Sequence, residues 1–254
     1  MKSRGLLVLA GSLVTAVLAV GTAFLPMPYV LLEPGPTVDT LGANGGHAVI
    51  TVSGAEASAS QGQLRLTTVE VEGGLDLWRA LGVWFDREEA LVPREVVYPA
   101  GKSDQQVQQE NTASFQESES TAVTVALKKL GNPAGVKVTA DVDDIGGPSA
   151  GLMLTLGIID KLTPADLTGG KIIAGTGTVD EDGTVGAIGG IPQKLAGAKR
   201  AGAVYFLVPA ENCDEALRNA VSGLPMARVA TVDDALTALT AIAAGGTPTA
   251  CGAA

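Results

Sequence analysis

Hydrophobic positions along the chain fall into one long uninterrupted run followed by short alternating stretches and helix-period stretches. From Gly5 to Leu25 there is no charged residue. Twenty-one residues at about 1.5 Å rise each give roughly 31 Å, enough to cross the hydrocarbon core of a bilayer. Lys2 and Arg4 precede the run, so the positive-inside bias predicts a cytoplasmic N-terminus, with everything after Pro26 on the extracytoplasmic side. A cleaved signal peptide is the competing reading, with Gly21-Thr22-Ala23 as its small-x-small site. The run, however, exceeds the ~7–15 apolar residues of a signal core.

Prolines 26, 28, 34 and 36 then mark an extended segment, and strands are predicted over 37–41, 48–52 and 63–71. The last alternates Leu64, Leu66 and Thr68 against Arg65, Thr67 and Val69. Helical spacing covers 75–85, through Leu75, Leu77, Trp78, Leu81, Trp84 and Phe85. A polar, glutamine-rich stretch over 101–119 leads into a helix to Leu130, stopped by Asn132-Pro133-Ala134-Gly135. Strand 136–142 precedes a helix over 149–162 that is apolar nearly all round and therefore buried. Beyond it come strands at 172–175 and 178–179, a turn at Asp182-Gly183, a returning strand at 185–188 and a helix over 194–201. A short strand at 205–208 and helices over 212–220 and 232–244 complete the pattern. Strands and helices in alternation with hairpins predict a mixed α/β or α+β fold. The expected organisation is an anchor over 1–26, one domain over 27–245 and a tail over 246–254.

Composition narrows the function. Hydrophobic residues make up 46% of the 254, but aromatics only 4%, so the core is aliphatic. A net charge of −10 argues against nucleic acid, which is bound through Lys and Arg. No Gly-x-x-x-x-Gly-Lys-Ser/Thr loop occurs, which argues against a nucleotide, and no cofactor is implied. Cys213 and Cys251 fit no metal spacing; a disulfide and two unpaired thiols both remain open.

Candidate chemistry concentrates in two glycine-rich passages. Gly147-Pro148-Ser149-Ala150-Gly151 presents a serine between glycines, while the only histidine, His47, lies upstream. A hydrolase elbow needs a histidine after the serine, so this serine, if a nucleophile, needs another base. The alternative is a helix cap with no chemistry. Forty-five positions on, Gly189-Gly190-Ile191-Pro192-Gln193-Lys194 delivers a lysine in an apolar setting. Such burial lowers a lysine pKa from ~10.4 toward the range where the neutral amine acts as a base. Lys199 and Arg200 look solvated, and Lys161 and Lys171 are the bland alternatives.

Asp144-Ile145-Gly146-Gly147-Pro148-Ser149-Ala150-Gly151, Gly175-Thr176-Gly177, the passage from Gly183 through Gly189-Gly190 to Gln193-Lys194, and Ala201-Gly202-Ala203 together resemble the proteolytic domain of Lon proteases in order and spacing. Phe115-Gln116-Glu117-Ser118 resembles the start of a Lon domain helix, and the resemblance runs over roughly residues 29 to 245. It implies that Ser149 is the nucleophile, Lys194 its base and Thr176 a hydrogen-bond partner of the lysine. Backbone N–H groups around Gly147, Pro148 and Ala150 are the expected oxyanion donors. Lon commonly carries an aspartate three residues before the serine, where this chain has Gly146; Asp143 or Asp144 is the candidate substitute. The anchor followed by Pro26-Met27-Pro28-Tyr29-Val30 is similar to YlbL-type membrane-anchored Lon-like proteases, but only 131–135 fills the place of their PDZ domain.

The resemblance implies a membrane-anchored, ATP-independent serine endopeptidase acting on extracytoplasmic peptides or proteins. Its membrane contact is through residues 5–25, with no nucleic-acid or nucleotide partner, and a homo-oligomer is compatible with the sequence. The alternatives are a noncatalytic peptide-binding regulator and a protease limited to cleaving its own linker around Ala55 to Gln61.

Overall fold

The computed structural model describes residues 2–25, 27–83, 86, 88–142 and 145–252, apart from the side chains of 2–4, 6–8, 19, 22 and 23. In chain order the elements are α1 (Lys2–Ala23), β1 (Tyr29–Asp39), β2 (Ala43–Asn44), β3 (His47–Ala48), β4 (Ile50–Ser53), β5 (Gln63–Glu72), α2 (Leu77–Val83), β6 (Ala90–Pro93), α3 (Arg94–Val97) and α4 (Asp104–Lys129). After β7 (Lys137–Ala140) and a 3-10 turn (Pro148–Ala150) come α5 (Gly151–Leu162), β8 (Ile172–Gly175), β9 (Thr178–Val179), β10 (Val185–Gly186), α6 (Ile191–Arg200), β11 (Tyr205–Pro209), α7 (Cys213–Arg218), β12 (Met226–Val229) and α8 (Val232–Ala243). They form two compact units, 1–33 with 71–102 and 34–70 with 103–254.

In the smaller unit, the Tyr29–Leu32 part of β1 pairs antiparallel with β6. Leu31, Leu75, Val83 and Leu91 make its small core. Arg79 on α2 binds Glu33, Glu72 and Glu89. Trp84 and Phe85, expected to extend that helix, lie outside the described residues. Lys2–Ala23 is helical over 22 residues. Among the described residues, however, no helix is long and apolar enough to cross a membrane. The spanning helix expected over 5–25 is thus not found there, and part of that run lies outside the described side chains.

The larger unit is built around a sheet in the order β12-β11-β8-β5-β1. β5, β8, β11 and β12 run parallel. α5 is buried from Gly151 to Asp160, packed among α4, α8 and β4. An apolar helix surface all round demands such a position, because any exposed side would leave aliphatic area in water. α4 is one helix of 26 residues rather than a polar stretch leading into one. A capping box starts it, Ser103 Oγ accepting from Gln106 N–H and Gln106 Oε1 from Ser103 N–H. Its buried side chains become frequent only from Phe115, so the amphipathic signal begins late.

β10 stops at Gly186, two residues before the expected end, since both backbone groups of Ile188 are held by the Asn212 side chain. α6 begins three residues before the expected start, with Pro192 in its first turn, where a missing N–H costs no helix bond. Cys213 and Cys251 are joined in a disulfide across 38 positions. The C-terminal segment lies beside β12, Arg228 N–H donating to Thr249 O at 2.8 Å.

Candidate active site

Ser149 sits in the 3-10 turn that opens α5. Two close approaches hold this turn. Ser118 Oγ on α4 donates to Pro148 O at 3.0 Å, and Gly177 N–H donates to Ser149 O at 3.0 Å. Gly151 follows because its neighbours leave no room for more: a Cβ there would lie 2.9 Å from Ser118 Oγ and 3.1 Å from Val179 N. The serine is therefore wedged between α4 and the β8–β9 connection, at the N-terminal end of a buried helix where the dipole favours negative charge.

Lys194 comes from the first turn of α6. Gly190 allows that turn, since its φ of 73° is left-handed and a Cβ would sit 2.5 Å from Val69 Cγ2. Lys194 N–H closes the turn on Gly190 O at 3.0 Å. The residue is 3% exposed, and its side chain reaches Ser149 Oγ at 2.8 Å and Thr176 Oγ1 at 3.0 Å. Burial pushes the ammonium pKa down to about 7, and the positive end of the α6 dipole acts in the same direction. Thr176 is fully buried, and its hydroxyl donates to Ser149 O at 3.2 Å.

Thus Ser149, Lys194 and Thr176 converge from three separate elements. Of the expected oxyanion donors, Gly147 N–H is already donated to Asn111 O at 2.9 Å. Pro148 has no N–H, so the amides of Ser149 and Ala150 are the ones left. Asp144 and Asp143 lie outside the described residues. His47 is exposed in the β2–β3 hairpin. Lys171 is engaged elsewhere, donating to Ile242 O at 2.8 Å, and Lys161 O accepts from Ser58 N–H. A groove of about 370 Å³ adjoins the serine turn, with Pro148, Ser118, Glu117, Thr178 and Glu181 among its walls. Among the described residues, no group of His, Cys, Asp or Glu is arranged to hold a metal. Sequence reasoning missed Asn111, Ser118 as a support for the turn, and Asn212 beneath the lysine loop. Only Ser118 carried a signal, within Phe115-Gln116-Glu117-Ser118.

Residues 126–241 match the Lon protease (S16) C-terminal proteolytic domain. All three converging side chains fall inside that Lon-type region. Among similar proteins, the Lon protease of Buchnera aphidicola subsp. Schizaphis graminum is 32% identical over 136 residues, 48% of this chain and 17% of that protein. The Lon protease of Clostridioides difficile is 37% identical over 93 residues, 35% of this chain and 12% of its own length. Lon protease 2 of Bacillus subtilis is 34% identical over 94 residues, 36% and 16% of the two lengths. The chain thus spans under a fifth of the length of these Lon relatives. The mixed sheet with packed helices fits a Lon proteolytic domain.

Proposed function

We propose that this chain is an ATP-independent serine endopeptidase in which Ser149 attacks the scissile carbonyl and neutral Lys194 takes its proton. The observation that carries the reading is the buried Lys194 Nζ at 2.8 Å from Ser149 Oγ. Hydrogen-bond bookkeeping gives the pair a direction. The Thr176 proton is spent on Ser149 O, so Thr176 Oγ1 faces Lys194 as an acceptor. The amine then donates to Thr176 and keeps its lone pair for the serine proton. As the tetrahedral oxyanion forms, the Ser149 and Ala150 amides at the start of α5 offer donors, and the lysine returns its proton to the leaving amine. The groove beside Pro148 suits an extended peptide or exposed loop as substrate.

The same proposal places the catalytic region outside the cytoplasm, held by the uncharged run from Gly5 to Leu25. Leu9, Leu13, Val14, Val17, Leu18 and Val20 are each more than half exposed on α1, which favours lipid around them. The disulfide suits an oxidising compartment. Self-cleavage in the 55–61 segment is less favoured, because Ser58 N–H binds Lys161 O, Ser60 Oγ binds Asp160 and Gln61 N–H binds Asp166. The test is incubation of the purified protein with a random peptide library followed by mass mapping. Cleavage is expected from the wild type without ATP or metal and none from Ser149→Ala; equal cleavage by both would sink the reading.

A further inference from the structure

Asn212 touches neither Ser149 nor Lys194, yet it holds the loop that presents the lysine. It follows β11, at the end of a 3-10 turn, and the residue is 7% exposed. Its Oδ1 accepts from Ile188 N–H at 2.9 Å and its Nδ2 donates to Ile188 O at 3.0 Å. One amide thereby satisfies both backbone groups of a residue that lies just beyond β10. Nδ2 also approaches Glu215 Oε2 at 3.4 Å, which fixes the amide's orientation. Ile188 immediately precedes Gly189-Gly190, and the turn at Gly190 sets the axis of α6 and so the place of Lys194. A lysine four residues from a left-handed turn moves with that turn, and a general base must stay within hydrogen-bond reach of its nucleophile.

The neighbour of Asn212 is Cys213, bonded to Cys251. Cys213 and Cys251 pack in one apolar cluster with Ile191 and Leu195 of α6, and Ile188 lies against it. The disulfide therefore joins the C-terminal segment to the residue beside the clamp and to the underside of the lysine helix.

We propose that Asn212 is a positioning residue for Lys194, and that the Cys213–Cys251 disulfide supports it, so that reducing the disulfide lowers turnover. This rests on the peptidase reading of Ser149 and Lys194. A dithiol reductant supplies the two electrons and two protons that convert the disulfide to two thiols, itself closing to a cyclic disulfide.

The wild-type chain is compared with Asn212→Ala, Asn212→Asp and, as a control of similar destabilisation away from the loop, Leu239→Ala in α8. In peptide cleavage, Asn212→Ala should lose at least tenfold in kcat with KM within twofold. Its kcat/KM profile should shift to higher pH as water reaches the amine. Asn212→Asp, which keeps the acceptor for Ile188 N–H but sets a second acceptor against Ile188 O and Glu215, should lose at least as much kcat as Asn212→Ala and remains informative if Asn212→Ala does not fold. Leu239→Ala should keep the wild-type pH profile. Dithiothreitol should lower wild-type kcat severalfold and leave a Cys213→Ala/Cys251→Ala variant unchanged. Nitrogen NMR of the Lys194 amine reads the same displacement without turnover. A wild type that cleaves nothing overturns the peptidase reading, whereas a raised Lys194 pKa in Asn212→Ala still supports the clamp. Wild-type kcat and pH profile in both Asn212 variants overturn the clamp. Unchanged kcat after both thiols become alkylatable overturns the role of the disulfide.

Discussion

Replacing Lys194 by Met should make the protein inactive and, near neutral pH, more stable. Methionine keeps the length and apolar volume of the lysine stem but brings no charge into a site that is 3% exposed. The folded lysine titrates near 7, against ~10.4 in an unfolded chain. Between those values the unfolded state binds the proton that the folded state has released, so wild-type stability rises with pH across the window. Linkage puts the cost of burying Lys194 at about 5 kcal/mol at low pH, about 4 at pH 7 and about 2 at pH 9. The variant also loses the hydrogen bonds to Ser149 and Thr176, about 1 kcal/mol each, independent of pH over most of this range. Lys194→Met should therefore exceed wild type by about 2 kcal/mol at pH 7 and roughly match it at pH 9. Thermal unfolding of the two proteins under identical solution conditions, from pH 6 to 9.5, measures the difference. The pH 7 to 9 change is worth about 4–8 °C in relative Tm for a chain of this size. A difference between the two that stays constant with pH would refute the claim that Lys194 is buried with a depressed pKa.

Other consequences follow from the same contacts. Thr176→Val keeps the side chain's shape but removes one hydrogen-bond partner each from Lys194 Nζ and Ser149 O; kcat/KM should drop about 10–100-fold in a folded protein, and a loss below twofold would remove Thr176 from the mechanism. Gly190→Ala places a Cβ 2.5 Å from Val69 Cγ2 on a backbone with φ of 73°; denaturant unfolding should show a loss of about 2 kcal/mol or more, with lower activity. On intact cells, external protease should remove the domain after Pro26 while a tag ahead of Lys2 stays protected; a protected C-terminal domain would contradict the extracytoplasmic placement.

The parts of the site that were legible in the sequence are those where glycine and burial leave a local mark. Gly147-Pro148-Ser149-Ala150-Gly151 and Gly189-Gly190-Ile191-Pro192-Gln193-Lys194 announced two helix starts, and the apolar run of α5 announced a buried helix. That the two starts meet was legible only through family resemblance, because β8, β9 and β10 intervene and spacing cannot say which ends come together. β12 went unseen, since Met226-Ala227-Arg228-Val229 buries only Ala227 and Val229, too little apolar surface to stand out. The sequence pattern places Asn212 in a helix over 212–220; its amide acts through tertiary contact with a loop 24 positions away, which no local pattern encodes. The division into two units was also hidden, because β1 and β5 run across the boundary near Glu33 and Glu70 without a break in strand pattern.

The central claim is that Ser149 is a nucleophile made reactive by a neutral Lys194. An electrophilic peptide phosphonate, whose phosphorus a serine oxygen attacks, tests it directly when the adduct is mapped by mass after digestion. The account predicts one adduct, on Ser149, forming faster as pH rises through about 7, and almost none in Lys194→Met. An adduct on another residue, or labelling of Lys194→Met at the wild-type rate, would contradict it.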